Sequence, residues 1–485
     1  MMTIDMLVPP SGGRAKPRQD FWRLPGKTSA TSSPGMTQVQ VRIHRCLCLL
    51  VISLIFEGLV RKLAPGFLGM PIFFFKDILT LCLLTLILKA KMNAVAARWL
   101  KAMALLGALL LPCILMTAIG SPVLAGFGAK QYLLFPTVAV AMCTAYLPYH
   151  RQQLFTLFRL IAWSVVVTTL VAVAQNRLPA SNWLNLSVAG TDLSNFSAGG
   201  YLRVSSTFPF VGQYCYYLNA MCYCLPVYFF IHDSMRERAV KIQALAFTGL
   251  VLIGTFVTGS RTSVVGSAGI LCAGGLLLAV CGGPKALVRI LIPVIAGIAL
   301  LGLMQSVSPE LFAAYNTRTS EASHNVELAE RIQHGLLGWT DGWEDAPPSL
   351  FGYGLGVMSN GSDKLSAYAA QWRANGFWTE TDQATTFFEG GWYLVLVWYG
   401  FRFWVIFRTF TLALRLRQMN FRIAACFAWG FVAIIGLTGT LAIQPPEAIW
   451  WWLAVGLITC LSRFDQMRPM KKRPQPALIY HAGHF

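Results

Sequence analysis

The sequence predicts an all-α, polytopic integral membrane protein of about twelve transmembrane helices, with one large outer loop between helices 9 and 10. Three observations carry that prediction: long apolar runs, a one-sided placement of lysine and arginine, and a single acidic stretch. The chain is 55% hydrophobic and only 12% charged over 485 residues, about half the charged fraction of an ordinary soluble domain. Twelve apolar runs approach the ~20 residues that cross a hydrocarbon core. They are 44–60, 69–88, 102–119, 131–147, 154–174, 208–231, 242–258, 263–281, 287–305, 387–407, 421–442 and 447–462. In lipid only helices and closed barrels satisfy their own backbone, and runs this long are helical. The first two runs are the weakest, because Glu57, Lys76 and Asp77 interrupt them.

Orientation follows from the basic residues, which gather on the cytoplasmic side of membrane proteins. With a cytoplasmic N-terminus the inner segments hold Arg14, Lys16, Arg18, Arg23 and Lys27, then Lys89, Lys91 and Lys101, then Arg236, Arg238 and Lys241. Arg408, Arg415, Arg417, Arg422, Arg468, Lys471, Lys472 and Arg473 follow on the same side. The net charge of +19 is thus mainly a topology signal, with attraction to anionic lipid as a second consequence. No basic folded module or stacking platform accompanies it, so nucleic acid is excluded as a partner.

The chain divides into a polar cytoplasmic tail (1–43), helices 1–9 (44–305), an outer loop module (306–386), helices 10–12 (387–462) and a second cytoplasmic tail (463–485). The first tail, rich in Gly, Pro, Ser and Thr, reads as disordered. The loop 306–386 holds ten of the 20 acidic residues against four basic ones, a net charge of −6. Neither this loop nor the other long outer loop, 175–207, contains any of the 12 cysteines. With the cysteines in or beside apolar helices and the seven histidines scattered, neither a disulfide framework nor a metal site is expected.

Candidate chemistry lies on the outer side. Arg261, in Gly259-Ser260-Arg261-Thr262-Ser263, is the one charged residue from Ile242 to Cys281 and sits at the tip of a tight helical hairpin. It reads either as a snorkelling anchor or, somewhat better, as an anion ligand. Arg203 lies at the outer mouth of the sixth helix, in Tyr201-Leu202-Arg203-Val204-Ser205-Ser206-Thr207-Phe208. Two such guanidinium groups suit a diphosphate, to which they make bidentate, charge-assisted bonds; a loop arginine paired with Asp192 or lipid is an equal alternative for Arg203.

Within the acidic loop, Leu328, Ile332, Leu336, Trp339 and Trp343 recur at helical spacing, which predicts an amphipathic surface helix. Its other face carries Arg331, a candidate substrate ligand, and His334, a candidate proton acceptor. Gly352, Gly354 and Gly356, in Phe351-Gly352-Tyr353-Gly354-Leu355-Gly356, mark a turn that passes close to something, a sugar or the hairpin. Glu380, Asp382 and Glu389 then cluster where the chain re-enters the membrane, more acids than helix capping needs.

These features together resemble the O-antigen ligase/polymerase family of bacterial envelope glycosyltransferases. The resemblance rests on about twelve helices, the Arg-x-x-Ser-Thr-Phe context of Arg203, Gly-Ser-Arg-Thr at a hairpin, and Phe-Gly-Tyr-Gly-Leu-Gly in a large outer loop. Phe56-Glu57-Gly58-Leu59-Val60-Arg61-Lys62, followed by Phe75-Lys76-Asp77, is similar to the opening of one branch of that family. The resemblance implies a GT-C-like fold in the bacterial inner membrane, both termini cytoplasmic, with the reaction at the periplasmic face. It implies an undecaprenyl-diphosphate-linked glycan as donor, a lipid-linked glycan or lipid A core as acceptor, and no metal or other cofactor. A flippase or chain-length regulator is the expected protein partner. By position Arg203 and Arg261 would hold the diphosphate. Members often carry a histidine, commonly as His-Asn, before the helix that follows the glycine-rich turn; Thr379-Glu380-Thr381-Asp382-Gln383 stands there instead. The general base is therefore left open among Glu380, Asp382, Glu389 and His334. A twelve-helix secondary transporter is the rival class, and a non-catalytic membrane scaffold the third.

Overall fold

A computed structural model describes residues 35–188, 202–231, 238–282 and 349–466, except 377, 378 and 380, together with isolated residues and short runs elsewhere. All regular elements among the described residues are helical. In chain order the helices are α1 (Gln38–Leu63), α2 (Gly69–Lys89), α3 (Ala94–Gly120), α4 (Pro122–Leu133), α5 (Thr137–Ala145), α6 (Arg151–Arg177) and α7 (Val211–Ile231). They continue as α8 (Arg238–Val257), α9 (Arg261–Gly282), α10 (Ala367–Ala374), α11 (Asp382–Leu414), α12 (Met419–Thr438) and α13 (Pro445–Gln466).

Eleven of the twelve apolar runs fall on these helices, and the ninth lies mostly outside the described residues. By length and composition seven of the described helices can cross a membrane, or eight if the bent pair α4–α5 is one span. Their outward faces are apolar: Leu105, Leu111, Leu115 and Ile119 on α3 and Leu396, Phe403 and Phe407 on α11 are all exposed. A soluble protein does not leave such continuous apolar surface open to water. The expected surface helix over 325–343, with Arg331 and His334, lies outside the described residues apart from short pieces.

Local sequence explains the helix starts. Thr37 and Gln40 form a reciprocal capping box at α1, Asn93 caps α3, and Ser121 followed by Pro122 opens α4. One end of the bundle is tied together at the last turn of α5. There the Gln40 amide donates to the Thr144 carbonyl, while Asn93 and Arg463 both donate to Cys143. These bonds satisfy carbonyls that a helix terminus leaves orphaned. They also put the start of α1 and the end of α13 at the same end of the molecule.

The centre is built by α12 and α13, packed on α5, α7, α9 and α11. Trp450, Trp451 and Trp452 are fully buried there. Helices α9 and α12 approach closely because Gly274 faces Gly430; a Cβ on Gly430 would stand 2.5 Å from the Ile270 carbonyl oxygen. Small residues allow this kind of contact where no hydrophobic drive separates helix from lipid.

Two helices depart from the simple spans expected from hydropathy. The fourth run is broken by Pro136, and α4 and α5 meet at a 45° bend. The tenth is broken at Gly391, whose φ of 59° and ψ of −159° are not helical. Asp382 and Arg402 lie in contact across that break, although twenty residues of unbroken helix would hold them about 30 Å apart. The chain therefore turns back sharply at Gly391, and the short arm 382–390 folds against the long arm 392–414.

Candidate functional site

Arg203 is held by a non-helical segment threaded into the bundle. Val204, Ser205, Ser206, Thr207 and Phe208 are all buried. Their polar groups bond to helices on each side: Ser206 N to the Gln175 side chain at 2.6 Å, Ser206 Oγ to the Thr168 carbonyl at 2.6 Å, and Thr207 Oγ1 to the Ile55 carbonyl at 2.5 Å. Irregular backbone inside a membrane body requires such internal partners. Gly58 of α1 makes the path possible, because a Cβ there would overlap the Phe208 carbonyl carbon and Pro209 nitrogen. Sequence reading noted Gly58 in a motif but found no task for it.

The α8–α9 hairpin is equally fixed. Gly259 takes φ of 62°, a conformation that favours glycine. Around it Thr258 Oγ1 accepts from Ser260 N at 3.1 Å, and Ser263 Oγ donates toward the carbonyls of Ser260 and Thr255 at 2.8 and 2.9 Å. Arg261 is then the first residue of α9. The Arg203 guanidinium reaches the Ser260 hydroxyl at 3.5 Å, so the two arginines separated by 58 positions converge on one hairpin. Buried Cys215 on α7 is close to Ser260, Ser263, Thr258 and Arg203.

A third irregular segment, 439–444, joins the same region. Next to Cys215, the Tyr216 hydroxyl bonds Thr440 Oγ1 at 3.1 Å. Thr440 in turn donates its N–H and its hydroxyl to Glu447, each at 2.7 Å. Glu447 is buried and was overlooked in the sequence, although an acid opening an otherwise apolar run is itself a signal.

Asp382 is placed here too, but as part of a buried ion pair. One oxygen meets Arg402 Nη1 at 2.5 Å and the other accepts from Ala442 N at 3.1 Å. Arg402 is buried as well, donating to the carbonyls of Gly436, Ile435 and Gly439 at the end of α12 and lying 4.5 Å from the Tyr399 ring centre. All this capacity goes into joining α11, α12 and the 439–444 connection. Arg402 was missed in sequence reading even though it interrupts the apolar run 387–407.

Glu389 sits at the break of α11 and locks the glycine-rich turn. Its oxygens accept from Tyr132 Oη at 3.0 Å and from Met358 N at 3.1 Å. The turn also pairs by backbone with the apex of the break: Tyr353 N with Phe388 O, Gly354 N with Glu389 O, and Tyr393 N with Leu350 O. Gly352, Gly354 and Gly356 have φ of 67°, 126° and 82°. A Cβ on Gly352 would meet the backbone of Glu389 to Gly391, and one on Gly356 would meet Gly128 on α4. The close neighbour expected for this turn is thus the protein's own backbone, α4 and α11, and not the hairpin.

The structure therefore places Arg203 and Arg261 at one hairpin, puts Asp382 and Glu389 in buried contacts, and docks the three glycines on α4 and α11. Glu380, His334 and Arg331 lie outside the described residues. Among the described residues no cluster of three or more His, Cys, Asp or Glu side chains is arranged to hold a metal ion. Neither a protein-family model nor a curated protein matches the sequence.

Proposed function

We propose that the protein is a membrane glycosyltransferase that polymerises or ligates undecaprenyl-diphosphate-linked glycan units, with twelve spans and its active site on the periplasmic face of a bacterial inner membrane. The observation that carries this reading is the convergence of Arg203 and Arg261 on one hairpin, at the end of the bundle opposite the start of α1 and the end of α13. Displacement at an anomeric carbon needs a stabilised leaving group, and fixed cations aimed at the developing phosphate charge supply the largest share of such catalysis. Their backbones are locked before substrate arrives, so little reorganisation is needed at the moment of reaction.

The acceptor hydroxyl needs a base on the opposite side of the sugar, which gives inversion. Asp382 and Glu389 are committed to Arg402 and to Tyr132 and Met358, and serve as positioning residues in this reading. Glu380 and His334 remain the candidates for the base. The acceptor is a lipid-linked glycan or lipid A core, and two lipid-anchored substrates meeting in one plane lower the entropic cost of reaction. Purified protein in liposomes, given lipid-linked oligosaccharide, tests the proposal. Release of undecaprenyl diphosphate with transfer of the glycan supports it, and intact donor after prolonged incubation refutes it.

One observation favours a second reading, a secondary transporter. Two interrupted helices, α4–α5 and α11, meet through the buried Tyr132–Glu389 bond, and transporters build substrate sites from discontinuous helices. Uptake of solute into the same liposomes, abolished by Glu389→Gln, would support that alternative.

A further inference from the structure

Away from the arginine hairpin, a second group of charges lies between α1, α2 and α4. Lys76 Nζ meets Glu57 at 3.0 Å, Arg61 meets the same carboxylate at 3.5 Å, and Lys130 meets Asp77 at 2.7 Å. Lys76 and Asp77 are consecutive residues of α2, so the two pairs form one cluster. Three cations thus face two carboxylates. Lys76 and Glu57 are almost wholly buried, at 2% and 4% exposure, and Arg61 Nε is buried with no hydrogen-bond partner. A surplus positive charge is costly at a membrane-embedded position and calls for a counter-ion.

An open cleft adjoins this cluster. Arg61 and Lys364 line it, with Met70, Phe73, Phe74 and Phe127. The phenylalanines stand against the cations: Phe73 lies 4.2 Å from Lys76 Nζ, and Phe127 lies 4.4 Å from Lys130 Nζ. Asp363, the acid beside Lys364, interacts with Arg373. The cleft is therefore cationic at its polar edge and apolar elsewhere. From it an apolar track, Phe75, Ile78 and Leu81, runs exposed along α2 at helical spacing.

We propose that this cleft binds the phosphate of an anionic lipid headgroup, with Arg61 and Lys364 as its ligands and the acyl chains laid along α2. The phosphate would neutralise the surplus charge and use the buried Arg61 donor, and guanidinium suits phosphate oxygens. The apolar track favours a lipid over a soluble anion, which would gain nothing from it. The inference is independent of whether the hairpin transfers sugars.

The test uses full-length protein in detergent, with thermal unfolding followed as lipid is added. Phosphatidylglycerol should raise the melting temperature saturably, while phosphatidylcholine and inorganic phosphate should not. Two variants avoid the buried cluster: Lys364→Glu reverses an exposed charge and Met70→Trp fills the cleft. Each should melt like the parent without lipid and weaken phosphatidylglycerol binding about tenfold or more, the worth of one charge-assisted contact. Equal protection by phosphatidylcholine, saturation by inorganic phosphate, or unchanged lipid affinity in both variants would each overturn the proposal.

Discussion

The hydroxyl of Tyr132 donates to the carboxylate of Glu389 across 3.0 Å, joining the bent α4–α5 pair to the broken α11. The other Glu389 oxygen holds Met358, so one side chain fixes two helices and the glycine-rich turn. Glu389→Ala should leave the Tyr132 hydroxyl and the Met358 N–H without acceptors, at about 1–3 kcal/mol for each buried group. Glu389→Gln keeps an acceptor and should fold nearly normally. Glycan transfer retained in the Gln variant marks Glu389 as a positioning residue; transfer lost in a well-folded Gln variant would show that its charge takes part.

The Asp382–Arg402 pair makes a sharper claim about stability. Arg402→Met leaves Asp382 buried and unpaired and should destabilise the protein by about 3–5 kcal/mol. Adding Asp382→Asn to it should recover part of that loss, because the stranded charge is gone. Thermal unfolding of the two variants checks this, and a double variant less stable than Arg402→Met alone would refute it.

Glycine substitutions should separate crowding from conformation. Gly352 and Gly361 both have positive φ, but a Cβ on Gly352 meets the α11 backbone while one on Gly361 meets open space. Gly361→Ala should cost about 1–2 kcal/mol, the ordinary left-handed penalty. Gly352→Ala should cost markedly more and loosen the turn, which limited proteolysis of residues 349–358 would report. Equal melting temperatures would refute the docking of this turn.

Gly58→Leu tests how Arg203 is positioned. The new side chain would displace Phe208 and Pro209 and with them the segment that carries Arg203. Transfer activity should fall at least tenfold with Arg203 itself intact, whereas Gly120→Ala, where a Cβ meets nothing, should be neutral.

Much of the architecture was legible because lipid imposes a simple rule: apolar runs become helices, and eleven of them do so among the described residues. Breaks within helices were harder to read. Gly390-Gly391 and Pro136 sit in runs whose mean hydropathy is undisturbed, and a reversal at Gly391 depends on Asp382 finding Arg402. The two arginines were legible one at a time, from Arg261's charge-free surroundings and Arg203's place at a helix mouth. That Arg203 reaches the hairpin of Arg261 was not, since it depends on how the segment carrying Arg203 packs against Gly58. Asp382 and Glu389 had the right side chains for a base, but only tertiary structure reveals the partners of their oxygens, Arg402 and Ala442 for the first and Tyr132 and Met358 for the second. Arg402 and Glu447 could have been found by asking why a charge stands inside an apolar run.

The most direct measurement is release of undecaprenyl diphosphate by Arg203→Ala, Arg261→Ala and the double variant in liposomes. Two cations acting as one unit predict that either single change lowers turnover by about 100-fold or more and that combining them lowers it little further. Near-parental turnover in either single variant, with the protein folded and inserted, would contradict the account.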